Sequence, residues 1–236
     1  MLLLATDLDG TFLGGSPAER TALYEWIRLQ EDLCLVFVTG RGLASVQPLL
    51  DDADIPNPDY IICDVGATVV NGNDLQPMQP LQKNIEEKWA GAALVRTRME
   101  QVSGLTYQEV PQQNRCSFYY DATTAIDVAT QIAAELGCDV IQSAGRFLDV
   151  LPAGVNKGST LTQLIQLINY PVGKVLVAGD TMNDRSLYDT GFRGVVVGEA
   201  EPALVQYTLH HTHVLQSPNA GAAGILDGIR WFGRNI

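Results

Sequence analysis

Short apolar runs alternate with helix-spaced segments through the first third of the chain. "LLLAT" (2–6) and "LCLVFV" (33–38) read as buried strands, each ending in small or charged residues. Between them Pro17–Gln30 reads as a helix, with Ser16 as N-cap and Pro17 in its first turn. Leu43–Leu50 reads as a second helix, and Tyr60–Cys63 and Ala67–Val70 as short strands around Gly66. A β-α-β-α-β order predicts a parallel sheet with helices on both faces.

The rhythm changes near residue 81. A helix over about Gln82–Gln101 leads to strands near Leu105–Val110 and Cys116–Tyr120. A helix striped by Ile126, Ala129, Ile132, Ala133 and Leu136 follows, then strands near Asp139–Gln142 and Phe147–Leu151. Pro77 and Pro80 mark where this stretch starts; Pro152 and Gly154 mark where it stops. The β-α alternation then returns. Leu161, Leu164, Ile165 and Ile168 stripe a helix, "KVLVAGD" and "RGVVVG" are strands, and Pro202–His210 and Ala220–Phe232 are helices. The expected fold is α/β: a core of residues 1–78 and 154–236, with an inserted α/β module, residues 79–153.

Charge and cysteine usage narrow the function classes. The net charge of −12, without a Lys/Arg cluster, argues against a nucleic-acid binder and an anionic-membrane partner. Cys34, Cys63, Cys116 and Cys138 are scattered, with no CxxC, and read as core residues in a reducing compartment. The apolar stretch Met1–Ala5 has no basic flank, which fits neither a signal peptide nor a membrane span. A cytoplasmic protein, monomeric or weakly homo-oligomeric, is expected.

Three strands end in reactive groups. "DLDGT" supplies Asp7, Asp9 and Thr11; "TGR" supplies Thr39, Gly40 and Arg41; "GDTMND" supplies Asp180, Asn183 and Asp184. Lys157 opens the helix after the insertion. In an open parallel sheet, ligands bind at the carboxyl ends of the strands, so these segments are expected to converge. Read singly, each also fits a plain role: an Asp-Gly turn, a strand-to-helix turn, a helix cap, an exposed lysine. Together they suit phosphoryl transfer. Converging carboxylates hold a hard cation such as Mg²⁺, one attacks phosphorus, and another moves protons.

"DLDGT", "VTGR", Lys157 and "GDTMND", in that order, resemble the four motifs of the haloacid dehalogenase-like (HAD) phosphatases. The position of the insertion resembles the C2-type α/β cap of that superfamily. The segments "PDYIICDVGATVV", "DVLPAGVNKG" and "RGVVVGEAEPALVQY" are most similar to the sucrose-phosphate and mannosylfructose-phosphate phosphatases. The resemblance implies Asp7 as nucleophile and Asp9 as general acid/base. It implies Mg²⁺ on Asp7, the Asp9 carbonyl and Asp180. Thr39 and Lys157 would bind phosphate and orient the nucleophile, with Thr11, Gly40, Arg41, Asn183 and Asp184 around them.

Gly66, Ala67, Gln113, Asn114, Arg115 and Asn156 are the expected sugar contacts. Relatives commonly carry Ser or Thr where Ala67 stands and Lys where Arg115 stands. The implied substrate is a sugar phosphate, foremost a disaccharide phosphate such as sucrose 6-phosphate. Mannosylfructose phosphate, a hexose phosphate and a phosphomannomutase-like mutase reaction remain alternatives. A receiver domain and a catalytically dead phosphosugar sensor fit less well, given the first-strand position of Asp7 and the complete carboxylate set. "HHTH" (210–213) matches no zinc spacing and reads as a polar link to a last strand. Trp26, Trp89 and Trp231 are expected on helices, filling cores.

Overall fold

The computed structural model describes residues 1–234. Its larger sheet has seven strands. They are β1 (Leu2–Thr6), β2 (Leu33–Val38), β3 (Tyr60–Cys63), β4 (Thr68–Asn71), and, after the insertion, β9 (Val175–Gly179), β10 (Arg193–Gly198) and β11 (Val214–Ala220). Their order is β11-β10-β9-β1-β2-β3-β4, parallel except for β4. β1 lies mid-sheet, with Leu3 opposite Cys34 of β2 on one side and Val175 of β9 on the other.

Alternation along β1 builds two cores at once. Leu3 and Ala5 face a cluster with Leu161, Leu164 and Ile165 of α6 (Lys157–Leu167) and Leu187 of α7 (Arg185–Tyr188). Leu4 faces the opposite cluster, with Leu23 and Ile27 of α1 (Pro17–Arg28) and Ile225 and Phe232 of α9 (Gly221–Arg234). Ser16 closes the capping box of α1 with Glu19, as its position before Pro17 predicts. Both faces of the sheet are therefore covered, as parallel strands require.

The inserted stretch forms an antiparallel sheet of its own. Its order is β5 (Thr106–Tyr107), β6 (Cys116–Tyr119), β8 (Phe147–Pro152), β7 (Cys138–Ser143). Phe118, Leu148 and Val150 pack on Val95 and Met99 of α4 (Ala92–Met99) and on Ala129 and Ala133 of α5 (Ile126–Glu135). This sheet is the cap of the molecule.

Three expectations change here, those of one helix, one strand and the tryptophans, while the "HHTH" link is as expected. The helix expected over Gln82–Gln101 is two: α3 (Leu81–Glu86) and α4, broken at Gly91, whose φ of +93° leaves the helical region. The strand expected over Leu105–Val110 pairs only at Thr106–Tyr107, because Pro111 turns the chain away toward the larger sheet. Trp26 is half-buried on α1, and Trp89 lies beyond the end of α3, partly packed on the cap cluster. Trp231 is on α9 but only half-buried. The "HHTH" segment leads into β11, and His213 Nε2 lies 3.0 Å from the Tyr188 carbonyl. Among the described residues, no helix is long and apolar enough to cross a membrane.

The start of α6 is pressed against the start of α7. A Cβ on Gly158 would lie 1.9 Å from the Ser186 carbonyl oxygen, so only glycine fits next to Lys157. Gly158→Ala is expected to lower stability by about 1–3 kcal/mol in urea unfolding. Leu167→Ala, at an exposed site on the same helix, should stay within about 0.5 kcal/mol.

Candidate active site

β1 delivers Asp7 at its carboxyl end, and the chain then makes one wide helical turn, Leu8–Phe12. Gly10 lies in this turn with φ +80°, and a Cβ there would fall 2.2 Å from Asp180 Oδ2. The glycine of "DLDGT" thus lets the first loop close on the carboxylate from β9. Thr11 Oγ1 donates to Asp180 Oδ1 at 2.8 Å and fixes its orientation. β2 leads into Thr39, whose Oγ1 accepts the Arg41 N–H at 3.1 Å and holds the "TGR" turn.

Lys157 reaches this cluster from the first turn of α6, capped by Asn156, whose side chain accepts the Ser159 N–H. The ammonium is fully buried. It donates to Asp7 Oδ1 at 2.6 Å, Asp184 Oδ1 at 2.6 Å and Asn183 Oδ1 at 2.8 Å. Asp184 is also fully buried, and its Oδ2 accepts the backbone N–H groups of Asp180 and Thr181, both at 3.0 Å. Asp184 therefore ties Lys157 to the loop that carries Asp180.

The charges do not balance within this cluster. Oxygens of Asp7, Asp180 and Asp184 lie within 4.8 Å of one another, with one ammonium among them. Burial pushes the Asp7 pKa well up, against the pull of Lys157. Burial, then Asp184, lifts Asp180 to about 7. Burial opposes the charge on Lys157, but Asp184 and Asp7 outweigh it, and its pKa rises. A buried, oxygen-only donor set with surplus negative charge fits a hard divalent cation. Asp9 differs from its neighbour. Its side chain is 62% exposed and is gripped by Arg41, Nε to Oδ2 at 2.8 Å and Nη2 to Oδ1 at 2.5 Å.

A cavity of about 450 Å³ runs from Asp7, Asp9, Arg41 and Asn183 to the cap. On the cap side Gln108, Arg115, Ser143, Arg146, Phe147 and Asp149 line it. Of the expected sugar contacts, Arg115 alone is among its lining residues. Ala67 is fully buried against the core, so a hydroxyl there would not face the cavity. Gly66 packs on Asn156 and Lys157, and a Cβ would lie 2.4 Å from the Asn156 carbonyl carbon. Asn114 Nδ2 donates to the Ala67 carbonyl at 3.3 Å, and Gln113 is exposed.

Asn156 lines a neighbouring cleft with Tyr120 and Arg185. Apart from Gln108, just past β5, the missed cap residues lie on β7, β8 and the turn between them, which carry no motif. The one available signal was the polar interruption of β8 by Asp149.

The fold, with a cap over its core, is that of the HAD phosphatases. Residues 1–233 match the model of the sucrose-6F-phosphate phosphohydrolases, and the chain belongs to that family. Mannosylfructose-phosphate phosphatase of Agrobacterium fabrum is 32% identical over 99% of this chain and 97% of its own. Glucosylglycerol-phosphate synthase of Pseudomonas anguilliseptica is 47% identical over 98% of this chain, which spans only 31% of that longer protein. The sucrose-phosphatase of Synechocystis sp., solved with sucrose and phosphate, superposes with a TM-score of 0.87 at 27% identity, covering 98% of each chain.

Removing Lys157 strands two buried carboxylates. Lys157→Met is expected to cost about 3–5 kcal/mol in urea unfolding at pH 7 without divalent cation.

Proposed function

We propose that this chain is a divalent-cation-dependent phosphatase of a small glycoside phosphate, acting through an aspartyl-phosphate on Asp7. The observation that carries the reading is the buried Asp7–Lys157–Asp184 knot opening into a sugar-sized cavity with a polar cap wall. A disaccharide phosphate such as sucrose 6-phosphate suits that volume.

In this reading Asp7 Oδ2 attacks phosphorus while Lys157 holds Oδ1. An O–P bond to Asp7 forms and the ester O–P bond breaks. Asp9 gives its proton to the departing sugar oxygen. It then takes a proton from the water that attacks the aspartyl-phosphate, which frees inorganic phosphate and restores Asp7. That Asp9, held by Arg41, lines the cavity with its side chain largely exposed supports this role. Asp7, Asp180 and the Asp9 carbonyl would hold the cation, Mg²⁺ by the chemistry of the donors. When bound it neutralises charge on the phosphoryl oxygens. Thr39 and the Gly40 backbone complete the phosphate pocket.

A second reading concerns the alcohol. The glucosylglycerol-phosphate synthase carries, within its greater length, a segment 47% identical to this phosphatase-family chain. Its name makes glucosylglycerol phosphate a substrate of equal standing for this chain, with glycerol in place of the second sugar ring.

Phosphate release from sucrose 6-phosphate, mannosylfructose phosphate, glucosylglycerol phosphate and glucose 6-phosphate ranks the candidates by kcat/KM. Hydrolysis of none of the glycoside phosphates would overturn the proposal. Asp7→Asn should remove turnover, a fall of at least about 10³ in kcat, with the circular dichroism spectrum unchanged. EDTA should stop the reaction, and added Mg²⁺ should restore it.

A further inference from the structure

Asp64 is a buried carboxylate that the proposed chemistry does not use. It opens a turn of three consecutive residues with left-handed backbone: Asp64 at φ +52°, Val65 at +56° and Gly66 at +113°. A β-branched residue seldom adopts that conformation, and it persists only where its surroundings hold it. Here they do. Asp64 N–H donates to the Arg41 carbonyl at 2.9 Å, Val65 N–H to the Thr39 carbonyl at 3.1 Å, and Thr160 Oγ1 to the Gly66 carbonyl at 2.8 Å. The turn is thus stitched to the loop bearing Thr39 and Arg41 and to the helix bearing Lys157.

Its outcome is to aim the Asp64 carboxylate at the cap. Oδ2 accepts from Thr68 Oγ1 at 2.7 Å, and Oδ1 lies 3.5 Å from Arg115 Nε. Arg115 is 6% exposed, lines the cavity, and donates from Nη1 to Asp149 Oδ1 at 3.0 Å. Among the described residues, every other ion pair stays within the cap or within the core. Asp64 Oδ1 and Arg115 Nε are also both buried without a hydrogen-bond partner, facing one another. A slight further approach of the cap would pair both, and such unmet polar atoms favour that approach.

We propose that Asp64 is a positioning residue that latches the cap to the core through Arg115 and aims that guanidinium into the sugar end of the cavity. The inference rests on the glycoside-phosphate reading above for the identity of the ligand.

Asp64→Asn tests it, because Asn tolerates a left-handed backbone and keeps the Thr68 contact while losing the charge. With the preferred glycoside phosphate, KM should rise at least about tenfold with kcat changed less than about threefold. With p-nitrophenyl phosphate, which reaches Asp7 without sugar contacts, kcat/KM should stay within about twofold. Small-angle X-ray scattering should give a larger radius of gyration for the variant. Equal losses on both esters, or no change on the glycoside phosphate, would overturn the latch. If the wild-type enzyme hydrolyses only p-nitrophenyl phosphate, the substrate reading fails, and an unchanged radius of gyration then overturns the latch on its own.

Discussion

The structure turns on one buried ammonium. Lys157 sits with no access to water between Asp7 and Asp184, which join it to the first loop and to the loop that carries Asp180, while the "TGR" loop joins through Arg41 and Asp9. Opposite charges this close interact strongly once water is excluded, and the same exclusion makes an unpartnered member costly. One lysine does not balance the carboxylates around it. Burial first, and the neighbouring carboxylates second, hold Asp7 and Asp180 above their ordinary range, and the surplus of carboxylates leaves an oxygen-lined place for a cation. The charge pair in "DLDGT" is therefore a division of surroundings: Asp7 is buried beside Lys157, while Asp9, two residues on, is exposed and held by Arg41.

Close backbone approach is the second constraint. Gly10 against Asp180, Gly158 against Ser186 and Gly42 against the Pro111 carbonyl are places where a Cβ would collide with a neighbour. The first two bring the carboxylates and the lysine within reach of one another. The third seats the cap loop on the "TGR" turn. The cap does not merely lie over the site; Pro111, Asn114 and Arg115 each meet core residues.

Much of the core was legible in the sequence. Buried parallel strands are short apolar runs, and their ends are marked by charged and glycine residues because the sheet stops there. Local rules of that kind placed β1, β2, β9 and the convergence of Asp7, Thr39, Lys157 and Asp180. The cap was less legible. Its strands are short and half-polar, Gly91 splits what reads as one helix, and the strand before Pro111 shrinks to two residues. "QNR" reads as a polar stretch suited to a sugar, yet Asn114 is used on the core, Gln113 is exposed, and only Arg115 lines the cavity.

The sequence by itself determined the fold class and the set of reactive residues, because strand and helix periodicity and the short motifs are local properties. Tertiary structure decided which of those residues share one space, and how each is charged. The pairing of Lys157 with Asp184, the burial of Ala67 and the meeting of Asp64 with Arg115 join residues far apart in the chain. Burial and dielectric exist only once the layers have packed, so no local pattern records them.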